Sequence, residues 1–511
     1  MLSKIYSAGL YGIDAYLIEI EADIYKKTIP QTNVVGLPDS AVKESKERIR
    51  SAIRNNGYDY PGGLITINLA PADVRKEGPS FDLAMALAVL AADGQINPTG
   101  LKDYCILGEL ALDGQIRPIK GALAISHFLA SKQKLPKKLI LPYENAPEAA
   151  VVNTTDVFPV KNLREIINFL SNPESIPALK INIEALFQQK EEFELDFADV
   201  KGQYFVKRGL EIAASGMHNI ILIGPPGSGK TMLSKRLPSI LPDMTLEESL
   251  ETTKIHSVMG LIKNEILITR RPFRSPHHTA SDVSLVGGGT IPQPGEISLS
   301  HNGVLFLDEL PEFHRNVLEV LRQPLEELSV SIARASRSVR FPARFMLAAA
   351  MNPCYCGNLG SANASCKCSI NQIMRYRAKI SGPLLDRVDI HIDVPQVKYQ
   401  DLANILPQEN SQTIKNRVKT ALAIQKARFK NEKILFNSAM NHRQIKKFCV
   451  IEKESQDLMK MAMEELHFSA RAFDKILKVA RTISDLAQSE KILSEHVAEA
   501  IGYRSLDKSL T

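Results

Sequence analysis

One eight-residue stretch constrains the fold more than any other part of this 511-residue chain. Four apolar residues, 220–223, precede Gly224-Pro225-Pro226-Gly227-Ser228-Gly229-Lys230-Thr231, and a helical pattern follows. This order of strand, glycine-rich loop and helix is typical of a phosphate-binding loop. We expect Lys230 to reach the β- and γ-phosphates and the Thr231 hydroxyl to bind Mg²⁺, at the positive end of a helix. The sequence therefore predicts a site for ATP.

Two later apolar runs end in residues that suit the same site. Residues 304–307 end in Asp308-Glu309, where Asp308 is predicted to hold Mg²⁺ and Glu309 to polarise the attacking water. Residues 345–351 end in Asn352, whose amide is expected beside the γ-phosphate and the water. Each signal is weak in isolation, and an asparagine before a proline often only begins a turn. Their order behind a phosphate loop favours one catalytic site.

Length and composition indicate a globular protein of about three domains. Apolar residues make up 44% and charged residues 23% of the chain. The longest apolar run, 83–92, is about half of a membrane span, and no secretory signal is evident. Six cysteines in a chain of this length do not suggest a secreted disulfide framework. We expect a cytoplasmic protein with no membrane partner.

The pattern of predicted elements divides the chain into three domains and a linker. Residues 1–172 alternate strand and helix signals, and residues 173–199 have the Pro, Glu, Gln and Lys content of a linker. Residues 200–398 repeat strand, turn and helix, as a parallel-sheet α/β core requires. Residues 399–511 have few Pro and Gly and carry apolar residues at helical spacing, which predicts a helical C-terminal domain.

Longer motifs carry a family resemblance that spans essentially the whole chain. They are Arg-Pro-Phe-Arg-Ser-Pro-His-His at 271–278, Val-Gly-Gly-Gly at 286–289, Pro-Gly-Glu-Ile at 294–297, and the segments 303–313 and 321–326. With the ATP motifs, they resemble the AAA+ ATPases, specifically the magnesium-chelatase-like ComM/YifB competence protein family. The resemblance implies an α/β fold with a Lon-protease-like (ribosomal S5 domain 2-like) N-terminal domain. It further implies a P-loop AAA+ core with a parallel sheet and a C-terminal α-helical lid.

The same resemblance implies a homo-hexameric ring with ATP at the subunit interfaces. In the segment Leu-Leu-Asp-Arg, Arg387 matches the arginine finger that is supplied to a neighbour's ATP. In Ser-Ala-Arg-Ala, Arg471 matches the second sensor of the lid and is the expected γ-phosphate contact. By residue type alone, each would be an ordinary surface arginine.

An arginine-rich segment is the candidate DNA contact. Residues 331–344 contain Arg334, Arg337, Arg340 and Arg344 and no acidic residue, between two strand-like runs. This predicts a β-hairpin with a basic tip, which the relatives place in the ring pore, where arginines would track phosphates without sequence readout. The glycine-rich segment 284–295 is a second candidate. A solvated basic face is the alternative, and a net charge of +6 permits a nucleic-acid partner without requiring one.

Four cysteines fall within fifteen residues. Cys354, Cys356, Cys366 and Cys368 form a C-x-C…C-x-C arrangement whose thiolates could complete a tetrahedral structural Zn²⁺ site. The one-residue spacing is tighter than the usual two to four. Free thiols or redox sensing remain the alternative.

The N-terminal domain carries traces of a protease. Glu-Gly-Pro-Ser at 77–80 resembles the Lon nucleophile motif and would make Ser80 the nucleophile, which needs a base. The position of the Lon catalytic lysine falls on Leu123, which cannot accept a proton, and Lys120 lies three residues earlier. We expect a scaffold for ring assembly or DNA contact and not an active protease.

The resemblance implies a function in DNA processing. It implies an ATP-driven hexameric DNA translocase or helicase that promotes branch migration in homologous recombination during natural transformation. Its partners would be single-stranded or branched DNA and recombination proteins. The alternatives are a chelatase-type motor that remodels a protein partner for metal insertion, and an ATP-dependent protease, which Leu123 argues against.

Overall fold

The structure is a computed structural model whose contacts group into two compact units. The first unit comprises Met1–Gln189 and Ser249–Thr269, and the second comprises Lys190–Glu248 and Arg270–Thr511. The residues that the structure describes are 2–25, 31–188, 193–262, 265–289, 292–333, 338–361, 365–397, 408–466, 468–504 and 506.

The first unit is built on a seven-stranded mixed sheet. Its strands, in chain order, are β1 Ser3–Tyr11, β2 Asp14–Tyr25, β3 Gln31–Val35, β4 Leu64–Ala70, β5 Tyr104–Ile106, and, after the small β6–β7 pair Glu109–Leu110 and Ile116–Arg117, β8 Lys138–Pro142 and β9 Asp156–Val160. The spatial order is β3-β4-β2-β1-β5-β8-β9. The β1–β2 and β2–β4 pairs are antiparallel, and the other pairs of this sheet are parallel.

Helices cover this sheet. They are Ser40–Asn55, Asp82–Ala92, Ala122–Ser131, Ala146–Ala150, Leu163–Ser171 and Ile183–Gln188. Every residue of Asp82–Ala92 is buried, because its sequence is apolar on all sides after the first residue. β4 alternates half-buried and buried residues, as a strand with one face in the core does. The strand Leu64–Ala70 and the helix Asp82–Ala92 agree with the alternating strand and helix signals predicted for this part of the chain.

Residues 249–269 belong to the first unit, although the sequence predicted them within the domain 200–398. Their contacts with residues of the first unit explain why. Leu267 packs with Leu123 and Val151, and Ser257 bonds with the carboxylate of Glu148. The N–H of Gly121 donates to the carbonyl of Ser257 at 3.1 Å. These contacts join segments far apart in sequence, so local sequence pattern does not reveal them.

The second unit contains a five-stranded parallel sheet. Its strands are β10 Ile220–Ile223, β11 Phe273–Arg274, β14 Val304–Leu307, β17 Met346–Met351 and β18 Ile390–Asp393. The spatial order is β11-β14-β17-β10-β18. Two antiparallel hairpins accompany them, β12 Gly287–Gly288 with β13 Gln293–Pro294, and β15 Ser329–Ala333 with β16 Ser338–Pro342. All residues of β10, β14 and β17 are buried, as strands covered on both faces require.

Along the chain, the helices of the second unit alternate with the strands of its sheet and then continue after the last strand. The core helices are Tyr204–Gly216, Lys230–Ser234, Leu237–Ile240, Asp282–Val286, Glu296–Leu299, Arg315–Glu319, Arg322–Glu327, Ile370–Arg377 and Gly382–Leu385, while Leu246–Val258 begins in the second unit and continues into the first. The C-terminal helices are Ser411–Arg428, His442–Phe448, Lys453–Glu465, Ala470–Leu486 and Ser494–Gly502. The mixed α/β class with a parallel sheet is as predicted.

The longer C-terminal helices follow their sequence signals. Ala470–Leu486 begins after Ser469, whose hydroxyl accepts the N–H of Ala472 as an N-cap. Its residues at helical spacing, among them Ile476, Val479 and Ile483, are buried as expected. Within the predicted linker 173–199, the structure describes a helix at Ile183–Gln188 and a short 3₁₀ turn at Phe197–Asp199.

Candidate active site

The phosphate loop follows β10, which lies between β17 and β18 in the parallel sheet. The helix begins at Lys230, directly after Gly229, whose φ of +90° suits glycine. A Cβ on Gly224 would lie 2.2 Å from the carbonyl oxygen of Val394. Glycine is thus required by backbone conformation at one position and by close packing at the other.

Lys230 is held inside the loop. Its Nζ donates to the carbonyls of Gly224 and Pro225 at 2.7 and 2.9 Å and to Oδ1 of Asn352 at 3.2 Å. Burial lowers the pKa of Lys230, which Asp308 and Glu309 partly oppose. The ammonium group is therefore positioned within the loop, next to the end of β17.

The end of β14 brings two carboxylates to the same place. The Thr231 hydroxyl donates to Oδ2 of Asp308 at 2.6 Å, and Oδ1 of Asp308 accepts the N–H of Glu309 at 3.0 Å. A hydroxyl and a carboxylate are oxygen ligands of the kind that Mg²⁺ prefers. Glu309 has a φ of +52°, a strained conformation for this residue, and its side chain is 58% exposed. The structure thus brings together the predicted residues of three strand ends.

Arg387 and Arg471 line a cavity of the second unit that contains none of the phosphate-loop residues. Both face this cavity of about 490 Å³, together with Asp386, Asp389 and Lys475. Arg387 pairs with Glu326 and donates to the carbonyl of Pro383 at 2.5 Å. Arg471 pairs with Asp386 at 3.2 Å and is 64% exposed.

A buried network fixes the segment that carries Arg387. Asp389 pairs with Lys475 and lies 3.3 Å from Nδ1 of His218, whose Nε2 is 2.8 Å from the Thr482 hydroxyl. Burial opposes the charge of Asp389, but Lys475 and His218 outweigh it and hold its pKa far below the ordinary value. Arg471, Lys475 and Thr482 occupy one face of the helix Ala470–Leu486. The helix therefore holds residues 386–389 from one side.

Sequence reasoning missed several of these residues. His218, Asp389 and Lys475 are far apart in the chain and belong to no motif. Gln203, whose φ is +59°, donates to the carbonyls of Ser228 at 3.1 Å and Pro395 at 2.9 Å, and so ties the phosphate loop to the chain after β18. The only local signal for Gln203 was its place after a glycine and before a helix.

Two family motifs serve as internal anchors. Arg271 donates to Glu248 at 2.9 Å and to the carbonyl of Asn302 at 2.7 Å. Arg274 makes a bidentate pair with Glu296, at 2.7 and 2.8 Å, which joins the 271–278 and 294–297 motifs. From the first motif, His278 also reaches within 3.5 Å of Glu309.

The four clustered cysteines meet beside the phosphate loop. Their sulfur atoms all lie within 4.8 Å of one another, and the Cys354, Cys356 and Cys366 sulfurs are 3.4 to 3.6 Å apart. Such separations are close to those around one ion with ligand bonds of about 2.3 Å. A Cβ on Gly357 would lie 2.5 Å from Cδ of Pro226, so this knot contacts the phosphate loop. The sulfur positions fit a Zn²⁺ ion.

The arginine-rich segment forms the expected pair of strands, β15 and β16. Arg334 and Arg337, between them, lie outside the described residues. Arg340 donates to the Ser329 hydroxyl at 2.7 Å across the hairpin. Arg344 follows the hairpin and bonds with Oδ1 of Asn302 at 2.6 and 2.9 Å, and it lies 3.6 Å from Glu248. Arg344 is thus engaged in an internal network, and a DNA contact by this residue stays a prediction.

The protease-like positions do not offer a base at residue 123. Leu123 is 1% exposed, packs with Val151 and Leu267, and its N–H donates to Glu148 at 3.0 Å. Ser80 lies in the 3₁₀ turn Pro79–Phe81, and its carbonyl accepts the N–H of Gly108 at 2.9 Å. The side chain of Lys120 lies along Gly260, with its Cε 3.1 Å from the position of a Cβ there.

Comparison with known proteins places this geometry in a family. Models described as magnesium chelatase, subunit ChlI, match residues 196–402, with related ChlI models at 20–145 and, for the C-terminal part, 408–504. The chain is 42% identical over 520 aligned residues to the competence protein ComM of Haemophilus influenzae, with 100% of this chain and 98% of the relative covered. The chain belongs to the magnesium-chelatase-like ComM/YifB family.

Two further relatives are similar to this chain, one over its whole length and one over a part of it. An uncharacterised protein, YifB of Escherichia coli, is 41% identical over 511 residues, with 100% of this chain and 98% of the relative covered. Lon protease 2 of Bacillus subtilis is 32% identical over 138 residues, 26% of this chain and 24% of that protein. Membership of the ComM/YifB family implies an AAA+ ATPase that uses ATP and Mg²⁺. None of the helices in the described part of the chain is long and apolar enough to cross a membrane.

Proposed function

We propose that this ComM/YifB protein is a ring-forming, ATP-driven DNA translocase. The observation that carries the proposal is the separation of the two halves of the ATP site within one unit. Lys230, Thr231, Asp308 and Asn352 converge at three strand ends, while Arg387 lines another cavity. A homo-hexamer in which the Arg387 side of one subunit meets the phosphate loop of the next would complete both halves.

The residues at the strand ends would divide the hydrolysis between them. Lys230 binds the phosphates, because charged oxygens are stronger partners for an ammonium group than the loop carbonyls. Thr231 and Asp308 hold Mg²⁺, which neutralises charge on the phosphates. Glu309 and Asn352 orient the attacking water, and Arg387 of a neighbouring subunit stabilises the charge that develops during transfer.

Arg471 would act on the same side as Arg387. Its salt bridge to Asp386 and its place in the Arg387 cavity support a contact with the γ-phosphate of the neighbouring subunit's ATP. The helices of residues 408–504 would then form a lid whose position follows nucleotide binding.

The proposed binding of DNA is supported by the β15–β16 hairpin and by the relatives. Arg334, Arg337 and Arg340 would track phosphates of single-stranded or branched DNA in the ring pore. A relative named as a competence protein supports a role in natural transformation, with branch migration during homologous recombination and recombination proteins as partners. A chelatase-type motor is not favoured, because both full-length relatives named above lie in the ComM/YifB group.

Two structural roles accompany the motor. A Zn²⁺ ion held by Cys354, Cys356, Cys366 and Cys368 would stiffen the loop between Asn352 and the rest of the core. Zinc near zero in purified protein, with all four thiols titrating freely, would exclude it. The N-terminal unit would be a Lon-like scaffold without peptidase activity, and peptide hydrolysis abolished by Ser80→Ala would contradict this.

One experiment tests the leading function directly. ATP hydrolysis is measured without DNA, with single-stranded DNA and with forked DNA, and fluorescence-monitored branch migration is measured in parallel. We expect stimulation by DNA and migration by the unmodified protein. Glu309→Gln should still bind ATP, hydrolyse it poorly and show no migration. An ATPase rate that no DNA changes, together with no migration, would reject the translocase.

A further inference from the structure

A basic groove lies on the first unit, far in sequence from the ATPase motifs. It has a volume of about 360 Å³ and is lined by the helix Ser40–Asn55, the strand β3 and the segment around Tyr60. Within the described part of the chain, β3 stands at the end of the sheet and pairs with β4 only, so one side of its backbone has no strand partner there. The groove combines a charged helix face with an open strand edge.

Three cations from the helix face this groove. Lys46, Arg50 and Arg54 line it, are all exposed, and follow one another at intervals of four residues. Residues four apart share one face of a helix and are separated by about 6 Å along its axis. Among the described residues, none of the three forms a salt bridge, and Glu47 is the single acidic residue of the lining.

A fourth arginine on the same helix shows the contrast. Arg48 points to the unit's interior and pairs with Asp82, at 2.7 Å, so its charge serves the fold. Like charges at intervals of four destabilise a helix, and of this row Arg54, in the last turn, is the residue that the helix dipole favours. A ligand with repeated negative charge would turn this repulsion into attraction.

The other groove residues add a flat surface and neutral hydrogen-bonding groups. The guanidinium of Arg50 lies 6.0 Å from the centre of the Tyr60 ring, and the Tyr60 hydroxyl is 2.9 Å from that of Thr32. The exposed amides of Gln31 and Asn33 stand on alternate positions of β3, and the Gln31 amide donates to Oδ1 of Asn33 at 3.1 Å. Guanidinium and aromatic planes stack with unpaired bases, and amides bond with their edges.

We propose that this groove binds the phosphate backbone of single-stranded DNA. The linear row of cations fits a chain of phosphates, which arginine recognises through paired N–H groups. The choice of DNA as the polyanion rests on the proposed translocase function. The evidence for a polyanion-binding groove comes from its own residues and does not depend on that function. DNA leaving or approaching the motor would then be held at a site separate from the β15–β16 hairpin and independent of ATP hydrolysis.

The test compares two sets of substitutions in the full-length protein. The groove variant is Lys46→Ala/Arg50→Ala/Arg54→Ala, and the control, Lys102→Ala/Lys132→Ala/Lys134→Ala, removes equal charge from exposed positions outside the groove and its helix. Binding of a labelled oligothymidylate is followed by fluorescence anisotropy, without nucleotide, over a range of salt concentrations. A thermal unfolding temperature no lower than that of the unmodified protein, and unchanged DNA-free ATP hydrolysis, show that both variants are folded.

We expect the groove variant to bind at least about 10-fold more weakly, and its plot of log K against log salt to be shallower by about 2, since three phosphate contacts are lost. The control should behave as the unmodified protein. Arg50→Lys/Arg54→Lys should retain most of the salt dependence, because the charges remain.

Each other outcome has a distinct meaning. Unchanged affinity and slope in the groove variant would overturn the groove assignment while leaving the translocase intact. No binding of single-stranded DNA by the unmodified protein, with no DNA-stimulated ATPase, would overturn both. Binding to vesicles containing phosphatidylglycerol that is lost in the groove variant, with DNA binding unchanged, would assign the groove to a membrane surface instead.

Discussion

The phosphate-loop side and the arginine side of the second unit are built in different ways. On the first, Lys230, Asp308 and Asn352 stand at the ends of neighbouring strands and bond with one another or with the loop. On the second, Arg387 and Arg471 come from separate elements and depend on ion pairs between the core and the helix Ala470–Leu486. Substitutions should therefore act locally on the first side and spread through a network on the second.

The largest effect is expected at the phosphate-loop side. Glu309→Gln removes the group that polarises water and should reduce the rate of ATP hydrolysis by about 10²- to 10⁴-fold, while ATP binding is retained. Steady-state hydrolysis and nucleotide binding measure the two properties. Glu312→Gln, which removes a surface partner of Lys379, is the matched control and should hydrolyse normally. Equal losses in both variants would contradict a local role for Glu309.

The arginine side should show a comparable loss with a different signature. Arg387→Ala should slow hydrolysis by about 10³-fold, because the transition-state charge loses its partner. If Arg387 acts on a neighbour, mixing this variant with Lys230→Ala should restore part of the activity, since some interfaces then hold both groups. Arg322→Ala, which removes a surface pair with Glu319, is the control. Mixed rings without any recovery would argue that both groups serve one subunit's ATP.

The contrast between the two sides also explains what sequence could predict. The phosphate loop is contiguous, and each carboxylate or amide follows a buried strand, so parallel-strand geometry predicts their meeting. The partners of Arg387 and Asp389 are Glu326, Lys475 and His218, whose contacts arise from packing between distant segments. No local pattern encodes such contacts.

The same limit applies to two other regions. The arginine-rich sequence makes Arg344 a candidate DNA contact. In the structure Arg344 follows β16, donates to Asn302 and lies close to Glu248. Residues 249–269 have ordinary helix and loop patterns, and contacts such as that of Leu267 with Leu123 assign them to the first unit. In contrast, the apolar strands and the helices with apolar residues at helical spacing were predictable, because these patterns depend on neighbours in sequence.

A smaller effect is expected from the network behind Arg387. Lys475→Met leaves Asp389 buried without its cation and should lower the free energy of unfolding by about 3 kcal/mol. It should also reduce the hydrolysis rate while leaving ATP binding at the phosphate loop unchanged. Lys460→Met, at an exposed pair with Glu464, should stay within about 1 kcal/mol of the unmodified protein. A stability loss without any change in rate would show that the network does not position Arg387.

The smallest expected effect is a change with pH in the free energy of unfolding, caused by a buried histidine near Asp389 and Lys475. Burial, then Arg504 and Lys475, hold the pKa of His391 in β18 well below its ordinary value. Below pH of about 6.5, the unfolded chain therefore takes up a proton that the folded protein excludes, and stability falls by up to about 1.4 kcal/mol per pH unit. Urea unfolding at several pH values from 7.5 to 5.5 measures this slope.

His391→Phe should reduce that slope, and the remainder comes from His127 and His496, whose pKa values burial also lowers. His442→Gln, at an exposed position, should retain the slope of the unmodified protein. Asp389 does not interfere, because its pKa lies far below the ordinary value and its contribution is lost only at much lower pH. The phosphate-loop side has no buried histidine among the residues described above, so nucleotide affinity should change less than stability over this range. If His391→Phe has the same slope as the unmodified protein, His391 does not contribute to the pH dependence of stability in this range. The arginine side and the phosphate-loop side would then respond to pH in the same way.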